Sequence, residues 1–329
     1  MSTDEVSSRF GLQAGTKVRE HTKYEQLIAK CRGIPPVTTA VAHPCDEVSL
    51  AGALDAAGAG LIKPILVGPA GRIRALAAKL GLSLDEVEIE DQPHSEASAA
   101  RAVALVRAGA AELLMKGSLH TDELMRAVTS RETGLRTARR ISHVFIMDVP
   151  TYPKPLFVTD AAINIFPTLE DKRDICQNAI DLAHALGIAR PRVAILSATE
   201  SVNPRIPSTV DAAALCKMAD RGQITGGVLD GPLAMDNAIS KEAARTKHID
   251  SPVAGEADIL LVPDLEAGNI LAKQLTFLAN AGAAGIVLGA RVPIILTSRA
   301  DSVRARMASC AVGVLLAEAR RRGAAAREP

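Results

Sequence analysis

Aromatic residues are nearly missing from this 329-residue chain, which has five Phe, two Tyr and no Trp. So few rings offer bases no stacking platform, and no basic stripe accompanies them, which argues against nucleic acid as a partner. The formal net charge is only +1, and the longest basic block is Arg320-Arg321-Arg322. Those three arginines close the final expected helix, where cations suit the helix dipole. No apolar run reaches the roughly 20 residues that a bilayer span needs, so no membrane association is expected. Five scattered cysteines form no CxxC pair and suggest neither a disulfide framework nor a zinc site. A reduced, cytoplasmic setting is expected. Residues 1–20 are polar and mixed in charge, lack the apolar core of a signal peptide, and read as a flexible leader.

Standard catalytic signatures are also missing. The chain has no GxxxxGK[ST], no HExxH and no GxSxG. Gly58-Ala59-Gly60 follows a helix rather than a strand, which removes it as a dinucleotide fingerprint. The seven histidines show no metal spacing. His43 is the one that falls near a strand end, and packing accounts for it. No metal or other cofactor is expected.

What is present is an alternation of short apolar runs with helical periods, the pattern of an α/β chain with mostly parallel strands. Strands are expected at 37–42, 65–67, 87–89 and 112–115, separated by helices at 47–57, 70–80 and 95–107, with a helix at 122–128 following. Strands at 144–147 and 156–158 read as an antiparallel pair, because Pro150, Pro153 and Pro155 forbid a helix between them. Alternation resumes with helices at 170–186, 209–219, 234–244 and 266–281. The strands between and after them fall at 193–196, 226–229, 259–262, 286–288 and 294–296. Two doubly wound α/β domains are expected. One comprises 21–143 plus 298–329 and the other 144–297, with the site in the cleft between them.

Four segments carry polar groups at strand ends. In Leu296-Thr297-Ser298-Arg299-Ala300-Asp301-Ser302 a short strand feeds a helix, for which Asp301 and Ser302 are natural caps. Two hydroxyls, a guanidinium and a helix N-terminus make an anion site. Val303, Met307, Cys310 and Val314 would share the buried face of that helix. Asp230-Gly231-Pro232 ends a strand, with Pro232 in the next helix's first turn and Asp236 and Asn237 inside that helix. Asp264 caps a helix that carries an early Gly268-Asn269, and the glycine implies close approach by backbone or ligand. Lys116-Gly117 ends a strand, Thr121 caps a helix, and Arg126 lies about a turn and a half in.

Together these blocks resemble the phosphate acetyltransferase/phosphate butyryltransferase family from about Val37 to the last helix. Met115-Lys116-Gly117 with Thr121 looks more like the butyryltransferase branch. The chain is also similar to the phosphotransacetylase domain often fused behind an enoyl-CoA-hydratase-like domain. The resemblance implies an isocitrate-dehydrogenase-like architecture and a homodimer. The reaction it implies is reversible acyl transfer between coenzyme A and inorganic phosphate, with coenzyme A as substrate rather than cofactor. Ser298 and Arg299 fall on the family's Ser-Arg pair, and Arg126 on an arginine implicated in coenzyme A binding. With these go Gly117, Thr121, Asp230, Asn237, Asn269 and Thr297 as substrate-binding candidates. The family pattern places an aspartate six residues after the arginine, where this chain has Ala305. Asp301 is the nearest carboxylate to serve as the thiol's base, if it is not spent on capping. No cysteine or histidine is expected as a covalent acyl carrier. Ala305 also leaves open a non-catalytic acyl-CoA-binding module, like the related domain appended to some malic enzymes.

Overall fold

The computed structural model describes residues 22–296 and 301–325. The expected leader, together with Thr297, Ser298, Arg299 and Ala300, lies outside the described residues. A short helix, α1 (Lys23–Lys30), precedes β1 (Val37–Ala42). The β/α repeats that follow are α2 (Glu47–Gly58), β2 (Ile62–Gly68), α3 (Ala70–Leu80), β3 (Glu88–Asp91) and α4 (Ser95–Arg107). They continue through β4 (Leu113–Lys116) and α5 (Thr121–Thr129) to β5 (Ser142–Asp148) and β6 (Leu156–Thr159). Next come α6 (Leu169–Ala185), β7 (Arg192–Leu196), α7 (Pro207–Asp220) and β8 (Val228–Leu233). Two short helices, α8 (Met235–Ile239) and α9 (Lys241–Thr246), lead to β9 (Ile259–Leu261) and α10 (Leu265–Leu278). The chain closes with β10 (Gly282–Leu288), β11 (Ile294–Ile295) and α11 (Val303–Ala325).

All eleven described strands join one sheet in the order β3-β2-β1-β4-β11-β10-β5-β6-β9-β7-β8. The first block, β3-β2-β1-β4, is parallel, as the sequence rhythm predicts. β5 and β6 form the expected antiparallel pair, with Val144 opposite Thr159. The centre is closed by late residues: β10 runs antiparallel along all of β5, from Gly282 opposite Asp148 to Leu288 opposite Ser142. β11 then bridges β10 to β4, parallel to the latter.

Side chains alternate across this central ladder. Val144, Ile146, Ala284 and Ile286 point to one face, into a continuous core shared with α1, α2, α6, α7 and α11. On the other face the helix cover is divided. Leu114, Val287 and Ile294 pack under α4 and α5, whereas Met147 and Ala283 pack under α10. The stretch between those two patches is left open.

Three local expectations are corrected. The helix expected at 234–244 is two helices, because Ser240 adopts an extended backbone (φ −119°) and caps the second, its Oγ accepting from Ala243 N–H at 3.3 Å. Pro232 sits in β8 rather than in a helix, a position open to proline because β8 is the sheet edge. Val303 is exposed, whereas Cys310 and Val314 are buried as expected. Gly268 has a packing reason: a Cβ there would lie 2.7 Å from Val262 Cγ2 and 3.0 Å from Ala161 Cα. The close approach is therefore by protein.

The α1 segment is fastened by a buried ion pair. Lys23 Nζ donates to Asp148 Oδ1 at 2.8 Å and to Val149 O at 2.7 Å, at the exit of β5. Removing one partner of a buried pair strands the other charge, which costs about 3 kcal/mol. Lys23→Ala should therefore lower unfolding free energy by about that amount in urea titration, and a loss under about 1 kcal/mol would contradict this assignment.

Candidate active site

The uncovered part of the central ladder is the floor of a cleft of about 440 Å³. His143 and Phe145 rise from β5 on this face, spaced two residues apart as strand geometry requires, with Ala283 beside them on β10. One wall is the Lys116–Thr121 turn between β4 and α5, and the other is α10 through Asn269, Lys273, Thr276 and Phe277. Leu296 and Asp301 line the end where β11 gives way to α11.

Thr121, Asn269 and Asp301 are thus brought together from three distant parts of the chain. Asn269 Nδ2 donates to Ala161 O at 3.2 Å, an approach that the missing Cβ of Gly268 permits. Thr121 is the first residue of α5 rather than its cap. Glu123 Oε2 accepts the preceding His120 N–H at 2.9 Å. Gly117 lies under the wall. Its N–H donates to Ala42 O at 2.8 Å, and any Cβ there would collide with that carbonyl.

At the head of α11 the two capping candidates have separate places. Ser302 Oγ accepts Ala305 N–H at 3.1 Å, so the serine makes the cap and Asp301 lines the cleft. Arg306, buried behind it, donates to the Asp301 carbonyl oxygen. Ala305 is buried and brings no carboxylate to this region.

Other expected residues are placed elsewhere. The side chain of Arg126 is 71% exposed, 4.0 Å from Asp122, and does not line the cleft. Asp230 lies on β8, four strands beyond β5, or about 20 Å across the sheet. Asn237 is fully buried in α8, where Nδ2 donates to Glu200 Oε1 at 2.5 Å. Asp236 meets Lys247 at 2.9 Å on the surface. Thr297, Ser298 and Arg299 lie between Leu296 and Asp301 and outside the described residues.

Sequence reasoning missed the floor. Two histidines, His120 and His143, line the cleft, whereas the sequence singled out only His43, which lines the adjoining hollow. The period of two in His143, Phe145 and Met147 was the available signal. His143 is 1% exposed, its ring meets Phe145 edge-on at 4.3 Å, and its Nδ1 has no hydrogen-bond partner among the described residues. Burial holds its pKa down at about 3, so the ring is neutral at physiological pH. Among the described residues no group of three His, Cys, Asp or Glu side chains is placed to hold a metal.

A second hollow of about 390 Å³ adjoins the first through Leu119 and His120. Arg72, Ser95 and His43 line it, where β1 and β4 end and α4 and α5 begin. His43 Nδ1 is 3.1 Å from Ser98 Oγ, and burial is the main influence lowering its pKa.

The family model described as phosphate acetyl/butaryl transferase matches residues 94–314. A phosphate acetyltransferase of Rhizobium meliloti is 69% identical over 303 residues, 92% of this chain and 96% of that protein. A phosphate butyryltransferase of Clostridium acetobutylicum is 42% identical, covering 89% of this chain and 98% of its own. Among solved structures, a branched-chain phosphotransacylase from Enterococcus faecalis V583 superposes with a TM-score of 0.75 at 30% identity, over 85% of this chain and 99% of that one.

The neutral state of His143 has a measurable consequence. An unfolded histidine takes up a proton near pH 6.5, whereas the folded ring does so only near pH 3. Unfolding therefore binds an extra proton in that window, and stability falls as pH drops through it, by up to about 1.4 kcal/mol per unit. Its ring resonances should stay unshifted in NMR from pH 9 to pH 5. A midpoint near 6.5 would refute the assignment.

Proposed function

The chain belongs to the phosphate acetyl/butaryl transferase family, and from that premise we propose that its cleft performs reversible acyl transfer between coenzyme A and inorganic phosphate. In the proposed reaction acetyl-CoA and phosphate give acetyl phosphate and free coenzyme A. The observation that carries this is the family match over residues 94–314, which includes every residue lining the cleft. In this reading the cleft is the site expected between 21–143 plus 298–329 and 144–297, which is supported by the Lys116–Thr121 turn on one wall and α10 on the other.

In the direction of thioester formation, the coenzyme A thiol first loses its proton and then attacks the acyl carbonyl carbon. A C–S bond forms, the C–O bond breaks, and phosphate leaves with the electron pair. A free thiol near pKa 8.5 needs an acceptor at neutral pH. Asp301 fills that role, because it is the one carboxylate among the described residues that line the cleft. Arg299 grips the phosphate with a bidentate guanidinium, and Ser298 hydrogen-bonds the reacting centre. Lys116, Lys273 and the neutral His143 are further donors for the negative charge that develops on oxygen. Arg72 and Arg126, beside the adjoining hollow and on α5, are the cations available to the phosphates of coenzyme A.

Transfer is direct, in a ternary complex. None of the five cysteines lines the cleft, and burial pushes the thiols of Cys31, Cys216 and Cys310 up to about 11, 12 and 12, where a thiolate carrier is not available. An acyl-enzyme isolated after mixing with acyl-CoA alone, whether on cysteine, His120 or His143, would overturn this. The enzyme is cytoplasmic and a homodimer in this reading, with Ile270 and Leu278 exposed on α10 as contact surface. No described helix is long and apolar enough to cross a membrane.

The test is to mix protein, acetyl phosphate and coenzyme A and follow thioester absorbance. Arg299→Ala should lower kcat/KM for acetyl phosphate by at least about a thousandfold, and near wild-type turnover would remove Arg299 from the site. A protein that binds acetyl-CoA without turnover would instead be the regulatory module. Phe145 and Phe277 line the cleft and are the rings that the acyl tail meets in this reading. Phe145→Ala should raise the butyryl-to-acetyl ratio of kcat/KM by about tenfold, the value of one or two methylenes in an apolar pocket.

A further inference from the structure

The three arginines that close α11 have different fates. Arg321 makes a two-pronged contact with Glu112, at 2.7 Å from Nε and 2.5 Å from Nη2, and Arg322 Nε meets Glu318 at 2.7 Å. Arg320 has no carboxylate partner among the described residues. Its Nη1 donates to the backbone carbonyl of Arg291 at 2.8 Å. It turns into a cleft of about 620 Å³ between α6, α11 and the β10–β11 connection. Measured along α11, Arg320 lies about 26 Å from the helix start, at the opposite end from Asp301.

Charge in this cleft is unbalanced. Arg139, Arg291 and Arg320 line it, and Asp181 is its one carboxylate. That carboxylate is already taken, because Arg139 Nη1 donates to Asp181 Oδ2 at 2.5 Å and Gln177 Nε2 to Oδ1 at 2.9 Å. Arg291 has neither an ion pair nor a side-chain hydrogen bond among the described residues. Arg320 is open to water, yet the surrounding protein desolvates it enough to hold its pKa below the ordinary arginine value, with the charge of Asp181 opposing that shift. Neither Thr137 nor Asn178 supplies a compensating negative charge. Thr137 donates to Gly289 O at 2.6 Å, and Asn178 donates to Arg140 O at 2.9 Å. The remaining wall is apolar, from Leu182, Leu288 and Leu316.

Two guanidiniums without carboxylates beside an apolar wall, in a cleft of ligand size, fit a phosphorylated molecule with a flat or apolar body. We propose that the cleft between α6 and the end of α11 is a second binding site, separate from the acyl-transfer cleft, for a nucleoside diphosphate. Its phosphates lie between Arg291 and Arg320, and its ring system lies against Leu316 and Ala319.

Because coenzyme A itself contains a nucleotide, the experiment is run with coenzyme A saturating. Calorimetric titration of ADP into the full chain should then show one site per chain. ADP should bind at least about tenfold more tightly than pyrophosphate, and adenosine should give no heat. Arg291→Gln and Arg320→Gln should each weaken ADP at least tenfold while leaving KM for coenzyme A unchanged. Should Arg320→Gln fail to fold, Arg291→Gln decides alone, since that side chain makes no hydrogen bond or ion pair among the described residues. Loss of ADP binding on saturation with coenzyme A, ADP affinity indifferent to Arg291→Gln, or pyrophosphate binding as tightly as ADP would each overturn the proposal.

Discussion

The antiparallel pairing of β10 with β5 is the constraint on which the rest of this structure depends. It joins Gly282 to Asp148 and Leu288 to Ser142 in an unbroken ladder between segments far apart in sequence. Without it, β10 and β5 would each present an unpaired edge, with donors and acceptors that no other strand satisfies. β11 fills the last gap, and its two residues complete the sheet from β3 to β8. Because these strands come late in the chain, the segment that completes the sheet also delivers Leu296, Asp301 and the head of α11 to its centre.

The position of the cleft follows from how the two faces of that sheet are covered. On one face α1, α2, α6, α7 and α11 bury a continuous core. On the other face α4 and α5 cover one part, and α10 another. A sheet face left uncovered between helices is apolar at its base and ringed by helix ends and strand ends. That combination suits an acyl group below and phosphate oxygens above. His143 at the base remains neutral because burial opposes its charge, so it adds a hydrogen-bonding group without adding a cation.

Much of the fold was legible because most helices carry their own start and stop signals. Asp46 accepts from Ser49 N–H at 2.7 Å and Asp264 from Ala267 N–H at 2.9 Å, as their positions ahead of apolar periods predict. The antiparallel turn at β5–β6 was readable from Pro150, Pro153 and Pro155. Ser240 misled because a capping serine inside an alanine-rich stretch looks like an ordinary helical residue. For Asp230 and Asn237, motif order says nothing about distance across a sheet: Asp230 lies on the edge strand β8 and Asn237 in α8, and neither lines the cleft.

From local propensities the sequence by itself determined the alternation of strands and helices, the caps, the parallel first block and the polar groups at the strand ends. Those are short-range matters of period, capping and turn chemistry, decided within about a dozen residues. Tertiary structure alone decided which strand ends meet. It placed Thr121, Asn269 and Asp301 around one cleft, put His143 and Phe145 on its floor, and set Ser302 to cap α11 through Ala305 N–H. Pairings such as β10 with β5 depend on satisfying backbone hydrogen bonds and burying both faces of the sheet together, and no local window of residues contains that information.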